Sequence, residues 1–149
     1  KPDIECFYEA FNSVCEVTML TDRSQWYNEG QPVMRHVRDF EETHPEKGVY
    51  CLFVAPRLHQ DTIETFWVAI KHGYRGTNQK IVPISITQLI KLLEVLVSLK
   101  ESGRRLNHTE LSRLYEEIIA LTNNVTDSLE WIEQIPATIN SWGERMLAR

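Results

Sequence analysis

Cysteine is scarce in this sequence, and long hydrophobic runs are missing. The three cysteines among 149 residues, Cys6, Cys15 and Cys51, are too few and too odd in number for a disulfide framework. No stretch reaches the roughly 18 consecutive apolar residues that a membrane-spanning helix requires. These absences exclude a disulfide-stapled scaffold and a transmembrane protein, and they favour a reducing, intracellular environment.

Several common catalytic and cofactor-binding patterns are also missing. The cysteines do not have the spacing of zinc ligands, and no glycine-rich loop of the P-loop or dinucleotide-binding kind is found. No serine lies in the sharp strand-to-helix turn motif of the α/β-hydrolases. The sequence therefore gives no sign of a zinc module, a P-loop ATPase, a dinucleotide-binding domain or a serine hydrolase.

What is present suits one compact domain, because 42% of the residues are hydrophobic and 25% are charged. The net charge of -5 argues against a uniformly basic nucleic-acid coat but leaves room for a local basic patch. Residues 1–46 hold four basic and ten acidic side chains, whereas residues 47–91 hold six basic and two acidic ones. This distribution indicates a metal site beside a phosphate-binding surface, with a random scatter of solvated charges as the alternative.

The apolar patterning predicts a mixed α/β core. Two short strands, residues 3–8 and 14–20, are expected to form a hairpin with a turn at Asn12 and Ser13. The later segments are predicted to be a helix over 32–43, a strand over 49–55, a helix capped by Asp61 with Glu64 and ended by Gly73, and a strand over 81–86 that Pro83 places at an edge. This order predicts a right-handed strand-helix-strand crossover.

Helices are predicted for the rest of the chain. A strongly apolar helix follows the last strand, a second helix is capped by Asn107, and a final helical region is broken by Pro136. We therefore expect an α/β core over residues 1–98 and a C-terminal helical appendage over residues 101–149.

Asp3 and Glu16 form the most informative spacing in the chain. An Asp at the start of one hairpin strand and a Glu in the other can point to the same side, within reach of one cation. Such hard oxygen ligands suit Mg²⁺, which keeps several waters and takes only one or two carboxylates. The alternative is an ordinary strand on which Val14, Glu16 and Thr18 form one solvated face.

A series of ordered motifs resembles a known family. The motifs are Pro2-Asp3, Glu16-Val17-Thr18, Glu29-Gly30-Gln31-Pro32-Val33-Met34-Arg35-His36, Leu52-Phe53-Val54-Ala55-Pro56, and Phe66-Trp67 followed by His72-Gly73-Tyr74. Together they resemble the cleavage domain of AlwI-type restriction endonucleases, which belong to the PD-(D/E)XK nucleases. The resemblance runs from about residue 2 to about residue 98 and implies a restriction-endonuclease-like mixed sheet flanked by helices.

The resemblance implies Mg²⁺-dependent hydrolysis of a DNA phosphodiester bond by a type II, type IIS-like enzyme. Asp3, Glu16 and the carbonyl of Val17 would bind the metal, and Glu29 would match the third acidic position. Arg35 would stabilise charge on the phosphate, and His36 is a candidate general base because an ordinary histidine side chain gains and loses its proton near neutral pH. A histidine on an ordinary helix surface is the alternative for His36.

Two departures from the family pattern favour a rival interpretation. Thr18 replaces the lysine that this group usually carries two residues after the strand glutamate. Family members also carry a helix upstream of the hairpin, so we expect this chain to be a fragment of a longer protein. The rival is a catalytically inactive DNA-binding or partner-binding subunit of a restriction system.

The basic middle of the chain is a candidate DNA-binding surface. Lys71, Arg75 and Lys80 surround a glycine-containing segment, which could follow a DNA backbone or be an ordinary surface turn. The expected partners are double-stranded DNA, a separate recognition domain or subunit, and, where both strands are cut, a second copy of the chain. The resemblance implies a prokaryotic, cytoplasmic protein without a membrane partner.

Overall fold

The computed structural model describes all residues, Lys1–Arg149, and contains four strands and six α-helices. In chain order the elements are β1 (Ile4–Phe7), β2 (Asn12–Val17), α1 (Arg23–Gln25), a π-helical turn (Trp26–Gly30), α2 (Gln31–Thr43), β3 (Val49–Ala55), α3 (Gln60–Lys71), β4 (Ile81–Ser85), α4 (Ile86–Glu101), α5 (His108–Ala120), a 3₁₀ turn (Leu121–Asn123) and α6 (Ser128–Ala148). None of the helices combines the length and apolar character needed to cross a membrane.

The four strands form one mixed sheet in the order β1-β2-β3-β4. β1 pairs antiparallel with β2, so the predicted hairpin is confirmed, while β2, β3 and β4 are parallel. In this register Glu16 lies beside Phe53, which in turn lies beside Pro83. Pro83 therefore sits on the edge strand, as expected for a residue that cannot donate a backbone hydrogen bond.

Both faces of the sheet are covered by helices, as the apolar run of β3 requires. Alternate residues of β3 belong to two cores: Cys51 and Phe53 face α2, whereas Tyr50 and Val54 face α4, α5 and α6. The second core includes the fully buried Trp131 of α6. The division of the chain near residue 100 stays a prediction, and the helices on both sides of it share this core.

Three local predictions are wrong. Asn12 and Ser13 open β2 instead of forming the turn, which lies at Tyr8–Phe11 with a 3.0 Å hydrogen bond from the Tyr8 N–H to the Phe11 carbonyl. The cap of α3 is His59, whose Nδ1 accepts the N–H of Asp61. Helix α6 runs through Pro136 without a break, because its buried face packs along the core on both sides of the proline.

Candidate active site

Glu16 is a buried carboxylate near the carboxyl end of β2. Its side chain is only 4% exposed, and it lies on the face of the sheet that α2 covers. Val14 and Thr18 are buried on the same face, whereas Val17 and Met19 on the other face are 44% and 74% exposed. The interpretation of the Glu16 face as an ordinary solvated face is therefore wrong. A carboxylate in this position needs polar partners.

His36 supplies one of these partners from α2. Its Nδ1 lies 2.6 Å from Oε1 of Glu16. When Glu16 is ionised, Nδ1 carries the proton and donates it, which leaves the Nε2 lone pair of the neutral ring available to accept a proton. His36 also lines a cavity of about 180 Å³ together with Phe40 and His44. A buried carboxylate that orients a histidine is an arrangement suited to general base catalysis.

Asp3 reaches the same end of β2 from the residue before β1. Its Oδ2 accepts the backbone N–H of Val17 at 2.8 Å. The hydrogen bond holds Asp3 against the last residue of β2, next to Glu16. The structure thus brings together the three residues that the sequence proposed as metal ligands.

Glu29 enters the site from the π-helical turn. This turn is anchored to α3, since the Trp26 indole N–H donates to Oγ1 of Thr65 at 2.9 Å. Its last residue is Gly30, where an added Cβ would lie 3.1 Å from the Trp26 ring. Wide π-helical turns inside helices are frequent at functional sites.

The pKa values show that these side chains form one electrostatic cluster. Burial raises the pKa of Glu16, the charges of Asp3 and Glu29 raise it further, and His36 opposes the rise. Burial likewise raises the pKa of Glu29, with Thr18 and His36 opposing and Asp3 reinforcing the rise. No lysine or arginine hydrogen-bonds to any of these three carboxylates. The cluster therefore combines desolvated negative charge with a single histidine.

The donor set fits a hydrated Mg²⁺ ion better than a closed metal centre. No group of three or more His, Cys, Asp and Glu side chains forms a metal site in the structure. Mg²⁺ needs only one or two carboxylates, because it keeps several of its waters. Asp3 and Glu16 each use one oxygen in the hydrogen bonds described above, which leaves Oδ1 of Asp3 and Oε2 of Glu16 without a protein partner.

Arg35 does not join this cluster. It is exposed on α2, has no hydrogen-bond partner, and lies about 100° around the helix from His36. Its predicted contact with a phosphate stays a prediction.

The three predicted DNA-binding residues lie toward the other end of the sheet. Lys71 and Lys80 flank the segment that leads from α3 into β4, which is at the amino ends of the parallel strands. Lys71 donates to Asn123 at 2.9 Å, and Lys80 donates to Glu116 at 2.8 Å. Arg75 has no ion pair and lies over the Tyr74 ring, 5.9 Å from its centroid. Their role in DNA binding stays a prediction.

The sequence analysis did not predict that Thr18 is buried, and it did not identify Gln25, a second buried polar residue near the site. Thr18 is only 6% exposed, and its hydroxyl accepts the N–H of Leu20 at 3.2 Å. Gln25 is fully buried and hydrogen-bonds to two different loops. The position of Thr18 two residues after Glu16 was a usable signal, but Gln25 carries no motif that marks it.

Comparison with known proteins gives a family and a fold. Residues 1–92, more than half of the chain, match the AlwI restriction endonuclease family. No curated protein matches the sequence significantly. The structure is similar to the small subunit of the heterodimeric restriction endonuclease R.BspD6I, with a TM-score of 0.69 and 18% identity over 97% of this chain and 68% of that subunit. This likeness confirms the predicted fold class.

Proposed function

This chain belongs to the AlwI restriction endonuclease family, and we propose that it hydrolyses DNA phosphodiester bonds with Mg²⁺ as a type II, type IIS-like cleavage domain. The observation that carries the proposal is the convergence of Asp3, Glu16 and Glu29 at the carboxyl end of β2, with His36 bound to Glu16. The pKa values of Glu16 and Glu29 are raised, and carboxylates of this kind beside a histidine are typical of hydrolytic metal sites.

Asp3 and Glu16 would hold the metal ion, with the Val17 carbonyl as a further ligand. Mg²⁺ supplies charge stabilisation on the phosphate oxygens and lowers the pKa of a coordinated water. The protein fixes the ligand oxygens in advance, because Asp3 is tied to the Val17 N–H and Glu16 to His36. This preorganisation removes much of the cost of assembling the site around the substrate.

His36 and Glu29 would handle the proton of the attacking water. Nε2 of His36 accepts it, and the ionised Glu16 on Nδ1 stabilises the imidazolium that forms. Glu29 orients the same water or accepts its proton directly, since burial raises the pKa of this carboxyl toward neutrality. Arg35 is proposed to meet the scissile phosphate from the exposed side of α2.

The proposed substrate is double-stranded DNA, and the proposed setting is the cytoplasm of a prokaryote. Recognition of the DNA sequence is assigned to a separate domain or subunit. The similar R.BspD6I chain is a subunit of a heterodimeric enzyme, which supports a partner of this kind. A second catalytic domain would be needed to cut both strands.

One observation favours a catalytically inactive subunit as the second candidate. Thr18 occupies the position of the usual catalytic lysine, and no other ammonium or guanidinium group reaches the carboxylates. In that case the chain would only bind DNA or its partner subunit.

Plasmid cleavage separates these candidates. The protein, expressed from its complete reading frame, is incubated with supercoiled plasmid in Mg²⁺ or EDTA, as wild type, Glu16→Gln and Glu9→Gln. Glu9 is an exposed carboxylate in the hairpin turn and serves as the matched control. We expect Glu16→Gln to lower the cleavage rate about 1,000-fold or more, since several kcal/mol of transition-state stabilisation is lost. Cleavage by neither wild type nor Glu9→Gln would favour the inactive subunit.

A further inference from the structure

Resting on the proposed function, we propose that Gln25 is a positioning residue that sets the place of Glu29 relative to Glu16. Gln25 lies between these two carboxylates in the sequence, on the one-turn helix α1 directly before the π-helical turn. Its side chain touches neither the predicted metal ligands nor solvent, since it is 0% exposed. Its action must therefore pass through the backbone that it holds.

The Gln25 amide joins two loops at the carboxyl ends of the strands. Its Nε2 donates to the carbonyl of Leu20 at 2.7 Å, in the loop that follows β2. The same nitrogen donates to the carbonyl of Arg57 at 2.8 Å, and Oε1 accepts the N–H of His59 at 2.8 Å. Both of the latter groups belong to the loop between β3 and α3.

This hydrogen-bond set fixes the orientation of the amide. A flipped amide would place its oxygen against two carbonyl oxygens and its NH₂ group against the His59 N–H, so all three bonds would be lost. Breaking such bonds inside the protein leaves unsatisfied buried groups, which is costly. Gln25 is thus a rigid link between the loops.

The link acts on both carboxylates of the site. Leu20, whose carbonyl accepts the Gln25 amide, also donates its own N–H to the hydroxyl of Thr18, two residues after Glu16. On the other side, Gln25 is four residues before Glu29 and marks the start of the π-helical turn. The Trp26–Thr65 hydrogen bond provides a second anchor for this turn. Loss of the Gln25 link would let the Glu29 segment shift against β2.

Gln79 provides a matched control. It is also a buried glutamine, 2% exposed, and its Nε2 donates to the Met34 carbonyl at 2.7 Å. It lies just before β4, toward the amino ends of the strands, and it bonds to α2 and not to a loop next to Glu16 or Glu29. The same substitution at Gln25 and Gln79 therefore removes a buried amide from opposite ends of the sheet.

The test compares Gln25→Met with Gln79→Met in the full protein. Plasmid cleavage is measured over a range of Mg²⁺ concentrations, well below the melting temperature of each variant. For Gln25→Met we expect a higher half-saturating Mg²⁺ concentration and a lower maximal rate, about 10- to 100-fold in their combined effect, as for other residues that orient metal ligands. For Gln79→Met we expect the half-saturating Mg²⁺ concentration to stay within about threefold of wild type, since Gln79 bonds to α2 and not to the loops that hold Glu16 and Glu29.

The outcomes distinguish the two proposals. An active wild type with equal Mg²⁺ dependence in both glutamine variants would overturn the role of Gln25 alone. An inactive wild type would overturn the proposed function itself. If Gln25→Met does not fold, Thr65→Val removes the second anchor of the same turn, and an unchanged Mg²⁺ dependence in that variant would count against positioning of Glu29 by this segment.

Discussion

The two ends of the parallel strands carry their charges in different ways. At the carboxyl ends, Glu16 and Glu29 are partly or fully buried and have no lysine or arginine partner. Toward the amino ends, Glu116 accepts hydrogen bonds from Lys80 and Tyr50 and is neutralised. Uncompensated charge costs stability, so its retention at one end points to a function there, whereas the compensated pair suits a structural role.

The largest expected effect comes from replacing one carboxylate at each end of the strands by an amide. Glu29→Gln should lower Mg²⁺-dependent cleavage about 100-fold, the usual contribution of a group that handles a proton in the reaction. Glu41→Gln should leave cleavage unchanged, although burial raises the pKa of Glu41 as well. Glu41 lies near Lys80, away from the cluster. Single-turnover plasmid nicking measures both variants, and equal losses would contradict the placement of the active site at the carboxyl ends of the strands.

The site could be predicted from sequence where local geometry decides it. Asp3 directly precedes β1 and Glu16 lies on β2, so the pairing of these two strands alone brings them together. The face on which Glu16 lies was harder, since alternation does not tell which face α2 will cover. The burial of Glu16 follows from long-range packing of Val33 and Val37 against the sheet.

The remaining contacts could not be predicted because they join distant segments. Gln25 bonds to a loop more than thirty residues away, and Lys80 bonds to Glu116 in the helical tail. Local sequence signals also fail at Pro136, where tertiary packing keeps α6 continuous. Capping and turn rules describe what a segment prefers alone, and these positions are decided by what the segment packs against.

A second, smaller effect concerns stability. Burial works against ionisation of Glu116, but Lys80 and Tyr50 together hold its pKa below the ordinary value of 4.5. A lowered folded-state pKa stabilises the protein above the unfolded value and loses that stabilisation as the pH falls through the folded value. Glu116→Gln should therefore lower the melting temperature at pH 7 by about 1 to 3 °C, since the pair is half exposed.

Glu41→Gln should show the opposite sign in the same experiment. Burial raises the pKa of Glu41, so its contribution to stability is complete below the ordinary value of 4.5 and is lost as the pH rises through the folded value. Replacing it should raise the melting temperature at pH 7, with the difference shrinking below pH 4.5. Thermal melts at pH 7 and pH 4 measure both variants, and shifts of equal sign would contradict the assigned pKa directions.

The smallest expected effect tests whether the amino ends touch DNA. Arg75→Gln should weaken DNA binding about threefold and reduce the salt dependence by about one phosphate contact, because Arg75 has no ion pair. The double variant Lys80→Gln/Glu116→Gln removes an ion pair that has no net charge, so the affinity for DNA should stay unchanged. Arg105→Gln, an exposed change of equal charge in the tail, is the control. Fluorescence anisotropy with a DNA duplex at several salt concentrations measures the affinity of all three variants. Equal losses of affinity for Arg75→Gln and Arg105→Gln would show that only the net charge of the protein matters.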